Sequence, residues 1–358
     1  MHSRDALTRS ARTMNFRMAK FGMAVLIAFL VIGLALPSTV DAQEGLLARV
    51  LARGNLVCGV NGGLAGFGLI APDGAVSGFD ADFCRAYAAA LFGDPTKVEF
   101  KPISAADRFP SIQAEQIDVL VRNTTDTFER DTRQGADFGP TVFYDGQTFL
   151  VRRADNLSSV SDLNGATICV IKGTTTEANL SDIIALNNIN ATVTPYDDIN
   201  LVFEAFAAGS CQAVTSDRSQ LASRQATSAD GTTWVLFDEN FSKEPLAPVY
   251  KAGDAQWGDF IRWVTYATII AEEYGLTMAN VEEKAADPNL APEAKRLLGV
   301  EGELHTFLGL ESNWAINVIK AVGNYGEIYE RNLGALGVER GPNKLWTEGG
   351  LLYAPPYR

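Results

Sequence analysis

Histidine is almost absent from this chain of 358 residues, which contains only two. That scarcity argues against sites built on several imidazoles and against most histidine-based acid–base chemistry. Basic residues are also few, because 30 Lys and Arg stand against 43 Asp and Glu, giving a net charge of −13. A net acidic chain binds phosphate backbones poorly, so no nucleic acid partner is expected. With 47% hydrophobic residues and ordinary glycine and proline usage, the composition predicts a folded globular protein.

A basic and then apolar segment opens the chain. Five basic residues precede an apolar run over 21–36, and the small residues Val40 and Ala42 follow it. This order is typical of a cleaved secretory signal peptide, here residues 1–42. An uncleaved anchor is the alternative, although the run is shorter than the roughly 20 residues that span a bilayer. We therefore predict a periplasmic protein whose mature chain keeps one histidine, His305, and a net charge of −16.

The chain repeats one order of predicted elements. The predicted strands form two groups of three, at 56–60, 98–100 and 117–121, then at 166–171, 191–194 and 212–215. Helical patterns separate the strands, and Asp80 and Asp198 are the predicted N-caps of one helix in each group. This alternation predicts an α/β protein with two lobes, each a parallel sheet flanked by helices. From residue 257 onward the chain is predicted to be mostly helical.

Polar residues follow the predicted strands in both groups. Parallel sheets bind ligands beyond the carboxyl ends of their strands, so these loops are expected to line a cleft between the lobes. The planar fork of Arg130 suits a carboxylate, and the turn 173–176 offers N–H groups at the start of a helix. Asp217 suits an ammonium group. Alone, Arg130 is a surface charge and Asp217 a helix cap, but together they predict a site for an amino-acid zwitterion.

The four cysteines all follow the predicted signal peptide. An even number of cysteines in an exported chain favours disulfides. We favour the pairs Cys58–Cys84 and Cys169–Cys211, since each then lies within one predicted lobe, and four free thiols are the alternative. A metal site is not expected, because the spacings are wide and no Cys-x-x-Cys occurs.

Longer motifs resemble the periplasmic amino-acid-binding proteins of ABC importers. The residues that carry the resemblance are Gly78-Phe79-Asp80-Ala81-Asp82, Asn123-Thr124-Thr125 with Arg130, Ala136-Asp137-Phe138, Gly173-Thr174-Thr175-Thr176-Glu177 and Ala213-Val214-Thr215-Ser216-Asp217. The runs 314–332 and 349–356 are similar to the general L-amino-acid-binding branch of that family. The resemblance covers nearly all of 45–358. It implies a two-lobed periplasmic binding protein fold with the ligand cleft between the lobes.

The resemblance also implies roles for five polar residues. Arg130 would bind the α-carboxylate of the ligand, helped by backbone N–H groups near Thr125 and Thr175. Asp217 would bind the α-ammonium group, and Asn123 would contribute to this contact from lobe one.

Two apolar residues complete the implied ligand-binding set. Leu64 and Phe67 would lie near the aliphatic part of the ligand. Leu64 stands where other relatives carry an aromatic residue, and Asp126 stands where several have an aromatic after the paired threonines. The side-chain preference of the site is therefore left open.

Two crossings between the lobes are implied, near 150–153 and near 245–250. Lobe one would then comprise 43–150 plus 249–358, and lobe two 151–248. The expected function is to capture a free amino acid between closing lobes and to deliver it to an ABC permease and its ATPase in the inner membrane. The protein is expected to be a monomer, without cofactor, metal or catalytic residue.

Two other functions are compatible with the same fold. A dehydratase-like exported enzyme would use a carboxylate in the cleft, and Glu177 or Asp126 is the candidate acid. A binding protein that presents its ligand to a sensor would have an identical cleft. Hydrolysis by a Ser–His–Asp triad is not expected, because only His305 is available and no Gly-x-Ser-x-Gly occurs.

Overall fold

A computed structural model describes residues 45–358, and the predicted signal peptide, 1–42, lies outside the described residues. The strands are β1 Leu56–Val60, β2 Gly63–Leu64, β3 Gly68–Ile70, β4 Val76–Ser77, β5 Val98–Pro102, β6 Val119–Leu120, β7 Ala136–Phe138, β8 Phe143–Asp145, β9 Gln147–Arg152, β10 Thr167–Ile171, β11 Thr192–Tyr196, β12 Ala213–Asp217, β13 Trp234–Leu236, β14 Glu244–Leu246 and β15 Val249–Lys251. The helices are α1 Leu46–Arg53, α2 Phe79–Phe92, α3 Arg108–Gln113, α4 Phe128–Arg133, α5 Thr175–Leu186, α6 Ile199–Ala207, α7 Arg218–Thr227, α8 Ala255–Glu273, α9 Val281–Ala285, α10 Pro292–Leu297, α11 Trp314–Val322 and α12 Tyr325–Asn332. Across 45–358, none of these helices combines the length and the apolar character that a membrane crossing requires.

Two five-stranded sheets of the same design form the centres of two lobes. The first has the order β5-β1-β6-β15-β7 and the second the order β11-β10-β12-β9-β13. In each, the first three strands are parallel, and the fourth is antiparallel to both of its neighbours. All residues of β1 and β12 are buried, as expected for parallel strands covered by helices on both faces. The predicted two-lobed α/β architecture is confirmed.

The two crossings between the sheets run side by side. Strand β8 pairs with β14 in a separate antiparallel ladder that joins Asp145 to Glu244 and Phe143 to Leu246. The next strand, β9, belongs wholly to the second sheet, where Val151 pairs with Ala213. The chain therefore changes lobes at Gly146, before the hydrophobic strand β9, whereas the crossing predicted from the sequence came near the end of that strand. As a result, residues 147–150 lie with lobe two and not with lobe one. We call the β8–β14 ladder the hinge.

Helix α2 is buried on nearly all sides. It begins at Phe79, after Gly78, whose φ of 124° and whose position against the Phe67 carbonyl leave no room for a side chain. Asp80 is therefore inside the first turn and does not cap the helix as predicted from the sequence. In lobe two, Asp198 does cap α6, since its carboxylate accepts a hydrogen bond of 2.7 Å from the N–H of Asn200.

The C-terminal helices complete the core of lobe one. Helices α8 and α11 pack against α2, and their buried residues include the tryptophans Trp257 and Trp314. The hydroxyls of Tyr87 on α2 and Thr265 on α8 are 2.8 Å apart, which satisfies two polar groups inside this apolar layer. An alanine-rich helix such as α2 can be covered in this way because its small side chains allow close approach on every face.

Both disulfides favoured by the sequence are formed. Cys58 on β1 is bonded to Cys84 on α2, and Cys169 on β10 is bonded to Cys211 just before β12. Each bond stays within one lobe. They close chain segments of 26 and 42 residues, and so constrain the unfolded state of each lobe separately.

The bond in lobe two is expected to contribute substantially to stability. Replacing both Cys169 and Cys211 by alanine should lower the free energy of unfolding by about 2–4 kcal/mol, measured by urea titration. The Cys58→Ala/Cys84→Ala variant is the matched control and should lose a few tenths of a kcal/mol less, because its segment is shorter. An unfolding midpoint of the wild type that does not move on reduction would contradict the prediction.

Candidate functional site

Loops from both lobes meet at the carboxyl ends of their parallel strands. The hydroxyls of Thr125 and Thr175 are 3.4 Å apart, and Nη2 of Arg108 lies 3.4 Å from the carbonyl oxygen of Gly173. Beside these contacts is a partly enclosed cavity of about 20 Å³. Its lining comprises Ala105, Arg108, Arg122, Asn123, Thr125 and Arg130 from lobe one, and Ile171, Thr174, Thr175, Thr176, Ser216, Asp217 and Gln220 from lobe two.

Arg130 enters the cavity from the first turn of α4. Thr127 caps this helix by accepting a hydrogen bond from the N–H of Arg130. The guanidinium is buried, donates through Nη1 to the carbonyl of Thr125 at 2.8 Å, and lies 5.8 Å from the ring centre of Phe109. Burial lowers the pKa of Arg130, while the carboxylates of Glu244 and Asp217 act in the opposite direction. The side chain is thus held in place while part of its fork faces the cavity.

Asp217 ends β12 on the opposite wall. Its side chain makes no capping hydrogen bond to α7, so the interpretation of Asp217 as only a helix cap does not hold. Burial, followed by repulsion from Asp145 and Glu244, raises its pKa well above the ordinary value. Asn123, by a side-chain hydrogen bond, and Arg130, by its charge, oppose this shift. A cation beside Asp217 would therefore be strongly favourable, because it would stabilise the ionised form.

Glu244 in the hinge holds the two threonines of the cavity. Its Oε2 accepts hydrogen bonds from the hydroxyls of Thr125 at 2.6 Å and Thr175 at 2.8 Å. Its Oε1 accepts from Asn179 at 2.9 Å and from Ser242 at 2.6 Å. The threonine hydroxyls are thus already bonded within the protein. The groups that these two threonines can offer to a ligand are therefore on the backbone. They include the first-turn N–H groups of α5, which have no hydrogen-bond partner within the helix.

Asn123 connects the cavity to the carboxylate of Asp80. Its backbone has a φ of 23°, an uncommon value for a residue other than glycine. The N–H of Asn123 donates to Asp80 at 3.2 Å, and its side-chain oxygen accepts from Asn61 at 3.1 Å. These contacts fix the loop after β6 so that the remaining amide group of Asn123 can reach Asp217.

Leu64 and Phe67 do not reach the cavity, which corrects the role expected for them. Both are fully buried in the hydrophobic core of lobe one. The ring of Phe67 packs edge-on against Phe79 and Phe143, with ring centres 6.1 and 5.4 Å apart. Residues 64–67 follow a strand, but they fold back as the short β2–β3 hairpin, so these side chains point into the core.

The candidate acids of the dehydratase interpretation also lie outside the cavity. Glu177 accepts a hydrogen bond from the N–H of Gly173 at 2.7 Å, and this contact stabilises the turn before α5. Asp126 lines a separate, open groove beside the hinge. Burial and the charge of Asp131 raise the pKa of Asp126, yet this residue is not part of the lining of the cavity between the lobes.

Arg108 and Arg122 belong to the site, although the sequence did not single them out. Arg122 lies two residues after the end of β6, and Arg108 begins α3 after β5, so both lie beyond the carboxyl ends of parallel strands. The rule that selected Arg130 would have found them, because each is a cation in such a loop. Glu244 carried no such signal, since its place depends on a pairing between β8 and β14. Among residues 45–358, no cluster of three His, Cys, Asp or Glu side chains is placed to hold a metal ion.

Comparison with known proteins identifies relatives that match most of the chain. Residues 56–335 match the family of bacterial extracellular solute-binding proteins, family 3. The glutamate/glutamine/aspartate/asparagine-binding protein BztA of Rhodobacter capsulatus is 47% identical over 95% of this chain and 99% of its own length. The general L-amino acid-binding periplasmic protein AapJ of Rhizobium johnstonii is 48% identical over 88% and 94%.

A solved structure is similar over the same extent. It is an ABC transporter periplasmic binding protein from Brucella ovis with glutathione bound, and it is 44% identical to this chain with a TM-score of 0.85. The match covers 88% of this chain and 99% of that chain. These relatives are binding proteins.

The buried carboxyl of Asp80 is expected to make stability depend on pH. Burial raises its pKa to about 7, against the opposing effects of the Asn123 N–H and the Arg122 charge. The folded state therefore keeps a proton that the unfolded state loses above about pH 4, so this group's contribution to stability falls between about pH 4 and 7. The fall is at most about 1.4 kcal/mol per pH unit.

The variant Asp80→Asn should remove that dependence, because an amide does not titrate. Urea unfolding at several values between pH 4 and 8, without added ligand, should show a wild type that loses stability relative to Asp80→Asn as the pH rises. The exposed Asp73→Asn serves as the control and should run parallel to the wild type. Parallel curves for Asp80→Asn would show that Asp80 is ionised throughout this range.

Proposed function

Because this chain belongs to the bacterial extracellular solute-binding proteins, family 3, we propose that it captures a free amino acid between its lobes and delivers it to an ABC permease. One observation carries the proposal. Arg130 from lobe one and Asp217 from lobe two are both buried against one cavity, and neither takes part in an ion pair among residues 45–358. An amino-acid zwitterion supplies the two missing counterions with one molecule.

The groups around the cavity can share the recognition of the zwitterion. Arg130 binds the α-carboxylate, assisted by N–H groups of the backbone near Thr125 and Thr175. Asp217 binds the α-ammonium group, and the amide of Asn123 stabilises the ionised form of this aspartate. Since opposite charges come from opposite lobes, a bound amino acid holds the lobes together, and its release requires that they separate.

The names of the relatives support the proposed delivery to a permease. BztA and AapJ are both named as amino-acid-binding proteins, and the Brucella ovis protein as an ABC transporter component. The implied partners are a permease and its ATPase in the inner membrane. The basic and apolar leader over 1–42 supports export to the periplasm. We propose a carrier and not an enzyme, because neither Glu177 nor Asp126 faces the cavity.

Arg130→Ala should weaken the binding of every amino acid by a similar factor. It removes the partner of a group that all of them share, and truncating one member of a buried charge pair costs about 2–5 kcal/mol. Calorimetry with several amino acids, and with glutathione, measures the loss. Arg133→Ala is the matched control, since it removes an exposed arginine from the same helix. Unchanged binding, or a loss confined to one kind of side chain, would exclude Arg130 as the carboxylate anchor.

Asp217→Asn should fold normally, lose most of its affinity for amino acids and leave the ligand chemically unaltered. Asparagine keeps the shape of the side chain but cannot neutralise an ammonium group, and a hydrogen bond to a charged group contributes about 1.5–3 kcal/mol. The exposed Asp182→Asn, also in lobe two, controls for the loss of a charge.

Mass spectrometry of ligand recovered after long incubation with the wild type separates a carrier from an enzyme. The same compound should be returned. Turnover by the wild type that disappears in Asp217→Asn would favour the dehydratase-like function. Full affinity in the variant would place the ammonium site elsewhere.

A further inference from the structure

The cavity contains more positive charge than an α-carboxylate requires. Besides Arg130, the guanidinium groups of Arg108 and Arg122 line it, and these residues are only 3% and 9% exposed. Neither forms an ion pair with any residue in 45–358. A buried guanidinium without a carboxylate partner is expensive to maintain, so this arrangement points to an anion that comes from outside the chain.

Both additional arginines are anchored through Nε, and Arg108 also donates through Nη2 to the carbonyl of Gly173 at 3.4 Å. Nε of Arg122 donates to the carbonyl of Ile103 at 2.7 Å, and Nε of Arg108 donates to the carbonyl of Ala105 at 2.9 Å. Each contact uses the inner edge of the guanidinium and fixes its plane. The terminal nitrogens of Arg122 make no hydrogen bond to any described residue, and therefore remain as paired donors for a planar anion.

Arg122 lies at the junction of two compartments of the cleft. A second cavity of about 200 Å³ adjoins the first, and the two share Ala105, Arg122, Ile171 and Gln220. The smaller compartment holds Arg130 and Asp217, which the proposed function assigns to the α-groups of the ligand. A side chain that extends from those groups into the larger compartment must pass Arg122.

Three guanidinium groups line the smaller compartment, while Asp197 and Asp198 line the larger compartment beyond Arg122. Burial lowers the pKa of Arg108 well below its ordinary value, with further contributions from the positive charges of Arg130 and Arg122. Burial also lowers the pKa of Arg122 to about 10, although the carboxylates of Asp80, Asp217 and Asp198 oppose the shift. Asp217 is committed to the ammonium group, and Asp80 is bonded to the backbone of Asn123. A second ligand carboxylate would reduce the repulsion between the arginines.

We propose that Arg108 and Arg122 form a second anion subsite, which selects amino acids with a carboxylate side chain, glutamate and aspartate, over neutral ones. The inference rests on the proposed function, because it takes Arg130 and Asp217 as the sites of the α-groups. It assigns to Arg122 the direct contact with the side-chain carboxylate. Arg108, which also reaches the carbonyl of Gly173 in lobe two, adds positive charge and links the subsite to the closed arrangement of the lobes.

The test compares glutamate with glutamine, which have the same size and differ in charge. In calorimetry, the wild type should bind glutamate at least about tenfold more tightly than glutamine. Arg122→Gln should weaken the binding of glutamate by about 30-fold or more, so that glutamate and glutamine bind with nearly equal affinity. Arg122→Lys should restore part of the preference, since lysine keeps the charge and loses the fork. Aspartate and asparagine form a second pair of the same kind.

Lys97→Gln is the matched control for charge. This lysine of lobe one is exposed and takes part in none of the ion pairs among residues 45–358, so its loss should leave the ratio of glutamate to glutamine affinity unchanged. A wild type that binds glutamine as tightly as glutamate would overturn the proposal without any variant. An equal loss of affinity for glutamate and for glutamine in Arg122→Gln would also overturn the proposal. If the wild type bound no amino acid, the proposed function itself would fail, which is a distinct result.

Discussion

A buried carboxylate in the hinge, Glu244, determines how the two walls of the cleft are placed. One of its oxygens bonds the hydroxyls of Thr125 in lobe one and Thr175 in lobe two, and the other bonds Asn179 and Ser242. The carbonyl of Thr125 in turn accepts a hydrogen bond from the guanidinium of Arg130. A single side chain at the pivot thus fixes the relative position of two loops that are distant in sequence. Its four donors supply what an ionised group needs when it is removed from water.

The charges in the cleft follow a common physical logic. Each is buried, and burial acts against ionisation of Asp217 and Arg130 alike. A protein could relieve this cost by pairing the groups directly, but here they take part in none of the ion pairs of the described chain. Arg130 and Asp217 can therefore form their ion pairs with the ligand, and the electrostatic energy of these pairs stabilises the complex instead of the empty protein. Affinity and lobe closure therefore draw on the same interactions.

The sequence was informative where a residue's position along a strand decides its environment. Arg130, Thr175 and Asp217 follow predicted parallel strands, and they do meet in one cavity. Leu64 also follows a strand, but the next residues form a hairpin that places it in the core, and local sequence does not reveal that return. Glu244 depends on the pairing of two strands separated by the whole of lobe two. Long-range pairing of this kind leaves no local periodicity to detect.

The sheet of lobe one also has a consequence for the order in which the lobes can fold. Its fourth strand, β15, lies between β6 and β7, yet it is made only after every strand of lobe two. Helix α2 is covered even later, because α11, which packs against it, comes from the C-terminal part of the chain. Lobe two, by contrast, draws all five of its strands from the continuous segment 147–236. A chain synthesised from its N-terminus can thus complete lobe two first, while the apolar surfaces of lobe one stay open until synthesis ends.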